Sequence, residues 1–499
     1  MLTKSQLMSW RQCPKRLWLE THGDPAPPTD SSKLQRGETV GRMARVVFGD
    51  GDAVTIDRRS AGRRSALDQT ATEMASLGRT LFEAAFGDDD LAAYADVVRP
   101  AADGWELLEV KDAGSVKTHH LDDVAIQAAA AQRSGFAPKR ICITHVDTDW
   151  TYPGGDDYRG LFAIAEVTDD VGALVASVGD WVAEAKATIA LPTAPARPTG
   201  PHCDTPYPCA FYEACAAQDP TATHPIQWLP GALSKAAKEL VEAGAREMED
   251  LPDEVLNETQ SRVKAQTLAG VARFDEAEAA ADVADWTAPL HFLDFETANP
   301  VVPLWAGTRP YAQIPFQFSL HLLEADGTLA HTECLLTDGN DPSRRFAEAL
   351  IAACRSEGAV VVYNAGFERG RIKDLAQRYE ALAPQLEAIA ARLVDLQPVA
   401  KARYYHPDQR GSWSIKKVLP CLVPELRYDL LDGVKEGGMA IEAYLKLIHP
   451  NCSPERKATL EAQLRRYCHL DTLAMVALWA RFAANRAVLS AALNAAPRP

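Results

Sequence analysis

Asp294 and Glu296 stand two residues apart in the apolar, β-prone run His291-Phe292-Leu293-Asp294-Phe295-Glu296-Thr297. Side chains alternate across a strand, so both carboxylates leave the same face. Two like charges so placed repel unless a cation sits between them, which makes the pair either half of a divalent-metal site or a solvated strand edge. Later segments supply more acids. Asn364-Ala365-Gly366-Phe367-Glu368 follows the apolar run Ala359 to Tyr363 and sets Glu368 on the first turn of a helix. In Arg466-Tyr467-Cys468-His469-Leu470-Asp471, Tyr467 and Asp471 stand at i and i+4 and share a helix face. Each motif alone is common in ordinary packing. All three in this order define a candidate carboxylate cluster for metal-assisted hydrolysis. Asp395, in Leu393-Val394-Asp395-Leu396, is an extra acid that reads as structural.

A second set lies upstream. The strand-like run Ala93 to Val98 carries Asp96, and the turn Ala102-Asp103-Gly104 separates it from Trp105-Glu106-Leu107-Leu108-Glu109-Val110-Lys111. Asp-Gly between two β-prone runs signals a hairpin. Asp96 then sits on one strand, with Glu109 and Lys111 at i and i+2 on its neighbour. Two carboxylates can hold Mg²⁺ or Mn²⁺, which acidifies a water and offsets charge on a phosphate. The lysine orients that nucleophile or stabilises the developing negative charge. The same pattern also serves as a surface ladder of alternating charge. A helix over Leu121 to Gln132 follows and carries Gln127.

Ten cysteines in 499 residues are too few for a secreted disulfide scaffold. Cys142, Cys334, Cys354, Cys421 and Cys468 lie singly in apolar surroundings and read as small core residues, and Cys452 falls in a turn. Cys203, Cys209 and Cys215 are different, because they crowd a short, polar, Pro-rich stretch that packing does not explain. Cys13, beside Pro14, is a natural fourth. Four thiolates complete a tetrahedral zinc site or an iron–sulfur cluster. Either would tie the first helix to the end of its domain.

The elements that must position these groups alternate between strand and helix. Thr3 or Ser5 caps a first helix with apolar residues at Leu7, Trp10 and Leu17, and a Pro- and Asp-rich loop follows from Gly23 to Ser32. A further helix spans Val40 to Phe48. Between the two acidic sets, Leu233 to Met248 and Asp253 to Ala281 read as helices rich in Ala and Glu. Beyond Asp294, strands are expected at Pro315–Leu322, Ala330–Leu336 and Ala359–Tyr363, with a helix from Ser343 to Arg355. The aromatic and basic loop from Tyr404 through Trp413 to Lys416-Lys417 could stack a base and hold a phosphate or simply pack.

A formal net charge of −16 argues against a protein that coats DNA generally, and leaves room for a local phosphate groove. Arg58, Arg59, Arg63 and Arg64 form one basic group and Lys416-Lys417 another. No apolar run approaches the length of a membrane span and the first residues lack a signal-peptide core, so a cytoplasmic location is expected.

The front of the chain resembles the RecB-like nucleases of the PD-(D/E)XK class with a terminal Fe–S cluster, as in AddB-type and CRISPR-associated exonucleases. There, one N-terminal and three C-terminal cysteines bracket the nuclease core. The resemblance implies that Asp96, Glu109 and Lys111 are catalytic, with Asp96 and Glu109 as metal ligands, and that Gln127 is the helix glutamine after them. It also implies that Cys13, Cys203, Cys209 and Cys215 hold a [4Fe–4S] cluster. This sequence departs from the pattern at Ala131, where a tyrosine is usual, and at Arg45, near where a histidine is expected. The back resembles the DnaQ-like 3′–5′ exonucleases of the RNase H-like fold, in the subclass with tyrosine in the last motif. By that resemblance Asp294, Glu296, Glu368 and Asp471 bind two divalent metals, and Tyr467 orients the attacking water. Glu368 stands where an aspartate is usual.

The expectation is therefore an α/β (α+β) protein in three parts: a PD-(D/E)XK nuclease domain with a cysteine staple over 1–218, a helical connector over 219–288, and an RNase H-like mixed sheet flanked by helices over 289–499. Its expected activity is metal-dependent hydrolysis of nucleic acid, DNA rather than RNA, in repair or defence. The alternatives are an Fe–S nucleic-acid-binding scaffold with impaired sites and a zinc-stapled RNA-processing nuclease.

Overall fold

The computed structural model describes residues 1–23, 31–57, 62–75, 78–218 and 222–496. The chain is a mixed α/β protein with two mixed sheets flanked by helices. It divides into two compact units, Met1–Thr221 with Pro300–Ala312, and Ala222–Asn299 with Gln313–Pro499. From Ala222 onward the stretch read as a connector belongs to the second unit. No described helix is long and apolar enough to cross a membrane.

In the first unit, β1 (Leu2–Thr3), β2 (Val54–Thr55), β3 (Leu81–Gly87), β4 (Leu91–Ala101), β5 (Gly104–Lys111), β6 (Arg140–Val146) and β7 (Phe162–Glu166) form one sheet. Its order is β2-β3-β4-β5-β6-β7, with β1 set against β4. The expected hairpin is present: Ala101 pairs with Gly104 around a two-residue turn, and Val97 pairs with Leu108. β5 and β6 run parallel, and the helix Thr118–Arg133 crosses between them. Ala125, Ala128, Ala130 and Ala131 of that helix are buried in one core with Val98, Leu107 and Ile143. Side chains no larger than a methyl let the helix lie close to the strands. Ala131, the departure from the family's tyrosine, is part of this core.

The first helix does not run on through Leu17. Two helices, Lys4–Gln12 and Pro14–His22, meet at Cys13, whose backbone is extended at φ −162° and ψ 116°. Pro14 is the cause: its ring excludes the preceding residue from the helical region, and a proline loses nothing at the first position of a new helix. Thr3 caps the first of the two, exchanging hydrogen bonds with Gln6 at 3.0 and 3.2 Å. Arg63 and Arg64 lie on the helix Gly62–Ala75. Arg58, Arg59 and residues 24–30 of the Pro- and Asp-rich loop lie outside the described residues.

The second unit contributes β8 (Arg273–Phe274), β9 (Leu290–Ala298), β10 (Ile314–Leu323), β11 (Leu329–Leu335), β12 (Val360–Val362), β13 (Leu393–Asp395) and β14 (Tyr404–Tyr405). Five of these form a sheet in the order β11-β10-β9-β12-β13. β10 is antiparallel to β9 and β11, whereas β12 is parallel to β9 and β13. The central strand β9 is covered on both faces. Leu293 and Phe295 enter a core with Phe318, Leu320, Phe346 and Ile372. On the opposite face Phe292 meets Trp479 of the long helix Pro454–Phe482, and alternation puts Asp294 and Glu296 on that same face.

The stretch Asp253 to Ala281 is not continuous helix. Gly270, left-handed at φ 66°, ends the helix Glu258–Ala269, a conformation in which glycine carries no Cβ penalty. β8 then pairs with β14, and the helix Glu276–Val283 follows. The helix expected over Leu233 to Met248 is confined to Lys235–Glu242.

Candidate functional site

Three elements of the second unit converge on β9. Glu368 comes from the first turn of the helix Ala365–Arg378, entered through Asn364 in a left-handed conformation, and Tyr467 and Asp471 come from the middle of Pro454–Phe482. Glu296, Glu368, Tyr467 and Asp471 are buried. Burial pushes the Asp294 carboxyl well above its ordinary value, and the nearby Asp471, Glu296 and Glu368 push it further. Glu296 is raised in the same way, by burial and then by Asp471. Burial raises Asp471 to about 6, although Tyr428, Lys416 and Tyr467 pull the other way. Glu368 is raised by burial to about 8, and its Oε2 has no hydrogen-bond partner among the described residues. No ion pair joins any of these four acids to a base among the described residues.

Two residues complete this site that the sequence did not single out in these roles. Tyr428 donates its hydroxyl to Asp471 Oδ1 at 2.6 Å. Lys416 Nζ donates to the Tyr467 hydroxyl at 2.9 Å and lies 4.9 and 5.4 Å from the ring centroids of Tyr467 and Tyr428. Lys416 thus leaves the aromatic and basic loop, whose rings do something else. Tyr404, Tyr405 and Trp413 are buried, with Tyr405 on Thr267 at 2.9 Å and the Trp413 indole on the Tyr404 carbonyl at 2.8 Å. They pack rather than offer a stacking face. Asp395 is structural as read: its carboxylate accepts from the amides of Asn364, Ala365 and Gln397 at 2.9 to 3.0 Å, at the starts of two helices. Cys468 presents its sulfur to Asp294 and Glu296, and burial keeps it a thiol.

In the first unit Asp96, Glu109, Lys111 and Gln127 also gather, but with different company. Lys4 reaches Glu109 at 2.9 Å and Asp123 at 2.8 Å. Lys111 reaches Glu109 at 2.6 Å and also pairs with Asp123. The Gln127 amide donates to Glu109, and Asp96 accepts the Val110 amide at 2.8 Å. Burial alone would raise Asp123, yet Lys111 and Lys4 outweigh it and hold this carboxyl far below its ordinary range. Burial works against Lys111 too, and Asp123 and Glu109 overcome it. Asp96 is the exception, raised by burial and then by Glu109. Asp123 stands at i−4 from Gln127 on one helix, a spacing visible in the sequence. Lys4 had no such signal, since only the fold brings it across. Arg45 is engaged elsewhere, with Glu83 at 2.8 Å.

All four cysteines singled out by the sequence line one cavity, with Arg16, Arg197 and Phe211 among its walls. None is in a disulfide. Gln12 holds the cysteine-rich stretch in place through the carbonyls of His202 and Tyr207 at 2.8 and 2.7 Å. Burial raises the Cys203 and Cys209 thiols, and the neighbouring cysteines add to it. Four free thiols around one cavity fit either a zinc ion or an iron–sulfur cluster, because bound metal is what makes adjoining thiolates stable.

The family described as Domain of unknown function (DUF2779) matches residues 291–414. That span holds Asp294, Glu296, Glu368 and Asp395 and stops before Lys416, Tyr467 and Asp471. Among curated proteins the chain is 28% identical over 207 residues to "Uncharacterized protein MG366 homolog" of Mycoplasma pneumoniae, covering 38% of this chain and 31% of that protein. It is 24% identical over 153 residues to "Uncharacterized protein UU173" of Ureaplasma parvum, covering 28% of this chain and 22% of that protein. The chain thus spans less than a third of the length of either relative.

Proposed function

We propose that this protein is a divalent-metal-dependent nuclease whose second unit hydrolyses DNA from a 3′ end, and whose first unit carries a [4Fe–4S] cluster on Cys13, Cys203, Cys209 and Cys215. The observation that carries the reading is the quartet Asp294, Glu296, Glu368 and Asp471, three of them buried and Asp294 half-buried, with no ion-pair partner among the described residues. Hard oxygen donors that repel one another suit Mg²⁺ or Mn²⁺, and the partnerless Glu368 Oε2 is a ligand atom with no other use. Such a metal would supply charge for the phosphate and acidity for the attacking water. Burial and Asp471 push the Tyr467 phenol far above its ordinary range, so it keeps its proton and orients the water rather than deprotonating it. Lys416 fixes that hydroxyl and adds a positive charge where a phosphate would lie. Tyr428 fixes Asp471.

For the first unit a second reading is favoured by one observation: Lys4 and Lys111 already compensate Glu109 and Asp123. A cluster so neutralised has less need of a metal, which suits a nucleic-acid-binding scaffold beside the cysteine-held cluster.

Cleavage of 3′- and 5′-labelled single and double strands with Mn²⁺ tests both units at once, comparing the wild type with Asp294→Ala and Glu109→Ala. Loss of cleavage in Asp294→Ala, with release of nucleotides from the 3′ end in the wild type, is expected. A wild type that binds strands but never cuts them rejects the nuclease reading. Visible absorbance that bleaches on reduction assigns iron and sulfur to the cysteines; a colourless protein with bound zinc overturns that assignment.

A further inference from the structure

Three histidines of the second unit meet at a point that the carboxylate site does not use. His321 on β10 and His331 on β11 are direct cross-strand partners. His469 reaches them from the helix Pro454–Phe482. The three ring centroids lie 4.4 to 4.8 Å from one another. Each ring offers one nitrogen, and these nitrogens all fall within 4.8 Å of one another. Aromatic packing alone does not require this, since imidazoles are polar and His321 is buried in the sheet.

The surroundings are those of ligands held in orientation. Ser319 Oγ contacts His331 Nε2 at 2.9 Å, and Thr472 Oγ1 contacts His321 Nδ1 at 2.8 Å. The two hydroxyls are joined at 2.7 Å, so one small network fixes both rings and leaves the other nitrogen of each free. Metal-binding histidines are characteristically anchored in this way through their second nitrogen. His469 Nδ1 is buried with no hydrogen-bond partner among the described residues. A buried ring nitrogen without a partner is costly unless something occupies it. Glu333 is drawn away by Arg465, which leaves three nitrogens and no carboxylate as the donor set.

We propose that His321, His331 and His469 form a binding site for a zinc-type divalent ion, separate from the carboxylate quartet. Three imidazole nitrogens suit zinc, with a fourth position open to water on the side where His331 is exposed. Bound there, the ion clamps β10 and β11 to the helix that carries Tyr467 and Asp471. Its role is to set the position of those two residues. The site stands whether or not the carboxylates cleave nucleic acid.

The test is zinc binding to the full-length chain, stripped with a chelator and kept reduced, with the wild type compared with His331→Ala and Ser319→Ala. His331 is exposed, so its removal leaves the fold intact, which circular dichroism verifies. His331→Ala should bind one zinc fewer per chain than the wild type, and Ser319→Ala should weaken that zinc by about tenfold. Histidine-selective NMR of the wild type gives a reading that needs no variant: as zinc is added beyond the equivalent the four thiols can take up, three imidazoles should shift together. Equal zinc content in all three proteins, or imidazole signals that ignore excess zinc, overturns the proposal.

Discussion

The two acidic clusters of this chain are built from the same residue types and settle their charge in opposite ways. In the first unit Asp96, Glu109 and Asp123 are set against Lys4 and Lys111, with direct contacts to two of the three acids. In the second unit no base among the described residues pairs directly with Asp294, Glu296, Glu368 or Asp471, and the nearby Lys416 donates to a tyrosine hydroxyl. Both clusters are buried, so neither can rely on solvent screening. In the first, ion pairs compensate Glu109 and Asp123 and leave Asp96 outside the network. The second is tolerable only if protons or an outside cation share the site. A carboxylate in a sequence therefore says little about metal until its basic neighbours are known, and those neighbours are brought in by the fold.

The difference can be broken most directly by neutralising one acid in each cluster. Asp123→Asn leaves the half-buried Lys4 and Lys111 with Glu109 as their one directly paired acid among the described residues, and should destabilise the first unit by about 2 to 3 kcal/mol, read by urea unfolding. Unchanged stability would mean that the network contributes nothing. Asp294→Asn should lower Mn²⁺-dependent cleavage by about a hundredfold or more, since metal charge stabilisation is worth several kcal/mol. The same substitution should raise the stability of the metal-free protein by about 1 kcal/mol, because it removes a repelling charge. A drop in metal-free stability would place the second cluster in the same class as the first.

A titration sharpens the comparison further. Glu368 rises from 4.5 to about 8 and Asp471 from 3.8 to about 6, both chiefly through burial. The folded state therefore holds protons that the unfolded chain has released, and stability falls as pH rises across these ranges. The contribution is complete below the unfolded values and is lost as pH climbs through about 6 and then about 8. Metal-free melting temperature should decline over that window, and saturating Mg²⁺ should flatten the decline by replacing the protons. Glu368→Gln should remove the upper part of it. Asp395→Ala, which loses caps on two helices, should cost about 1 to 2 kcal/mol while the metal-dependent rise in melting temperature persists.

Much of this arrangement was legible before the fold was known, because its signals are local. Alternation put Asp294 and Glu296 on one face, the Asp-Gly turn placed Asp96 beside the strand of Glu109, and crowding marked three cysteines. What was missed arises from pairing across long separations. Lys4 lies 105 residues from Glu109, and Tyr428 lies 43 residues from Asp471. His321 and His331 look like ordinary strand residues until a hairpin register sets them opposite each other. The aromatic loop was ambiguous for a related reason, since composition cannot tell a stacking surface from a core that uses the same rings. The helix assigned to Asp253 to Ala281 failed because alanine and glutamate content outweighed the one residue that mattered, Gly270.

Pro14 has an effect that reaches past the residue it displaces. By ending one helix at Gln12 it makes Lys4–Gln12 a short separate rod, about 13 Å long at the usual rise per residue. Lys4 at one end is half-buried among carboxylates, and Cys13, just beyond the other end, lines the thiol cavity. One short helix therefore joins the lysine–carboxylate network, through Lys4, to the wall of the thiol cavity at Cys13.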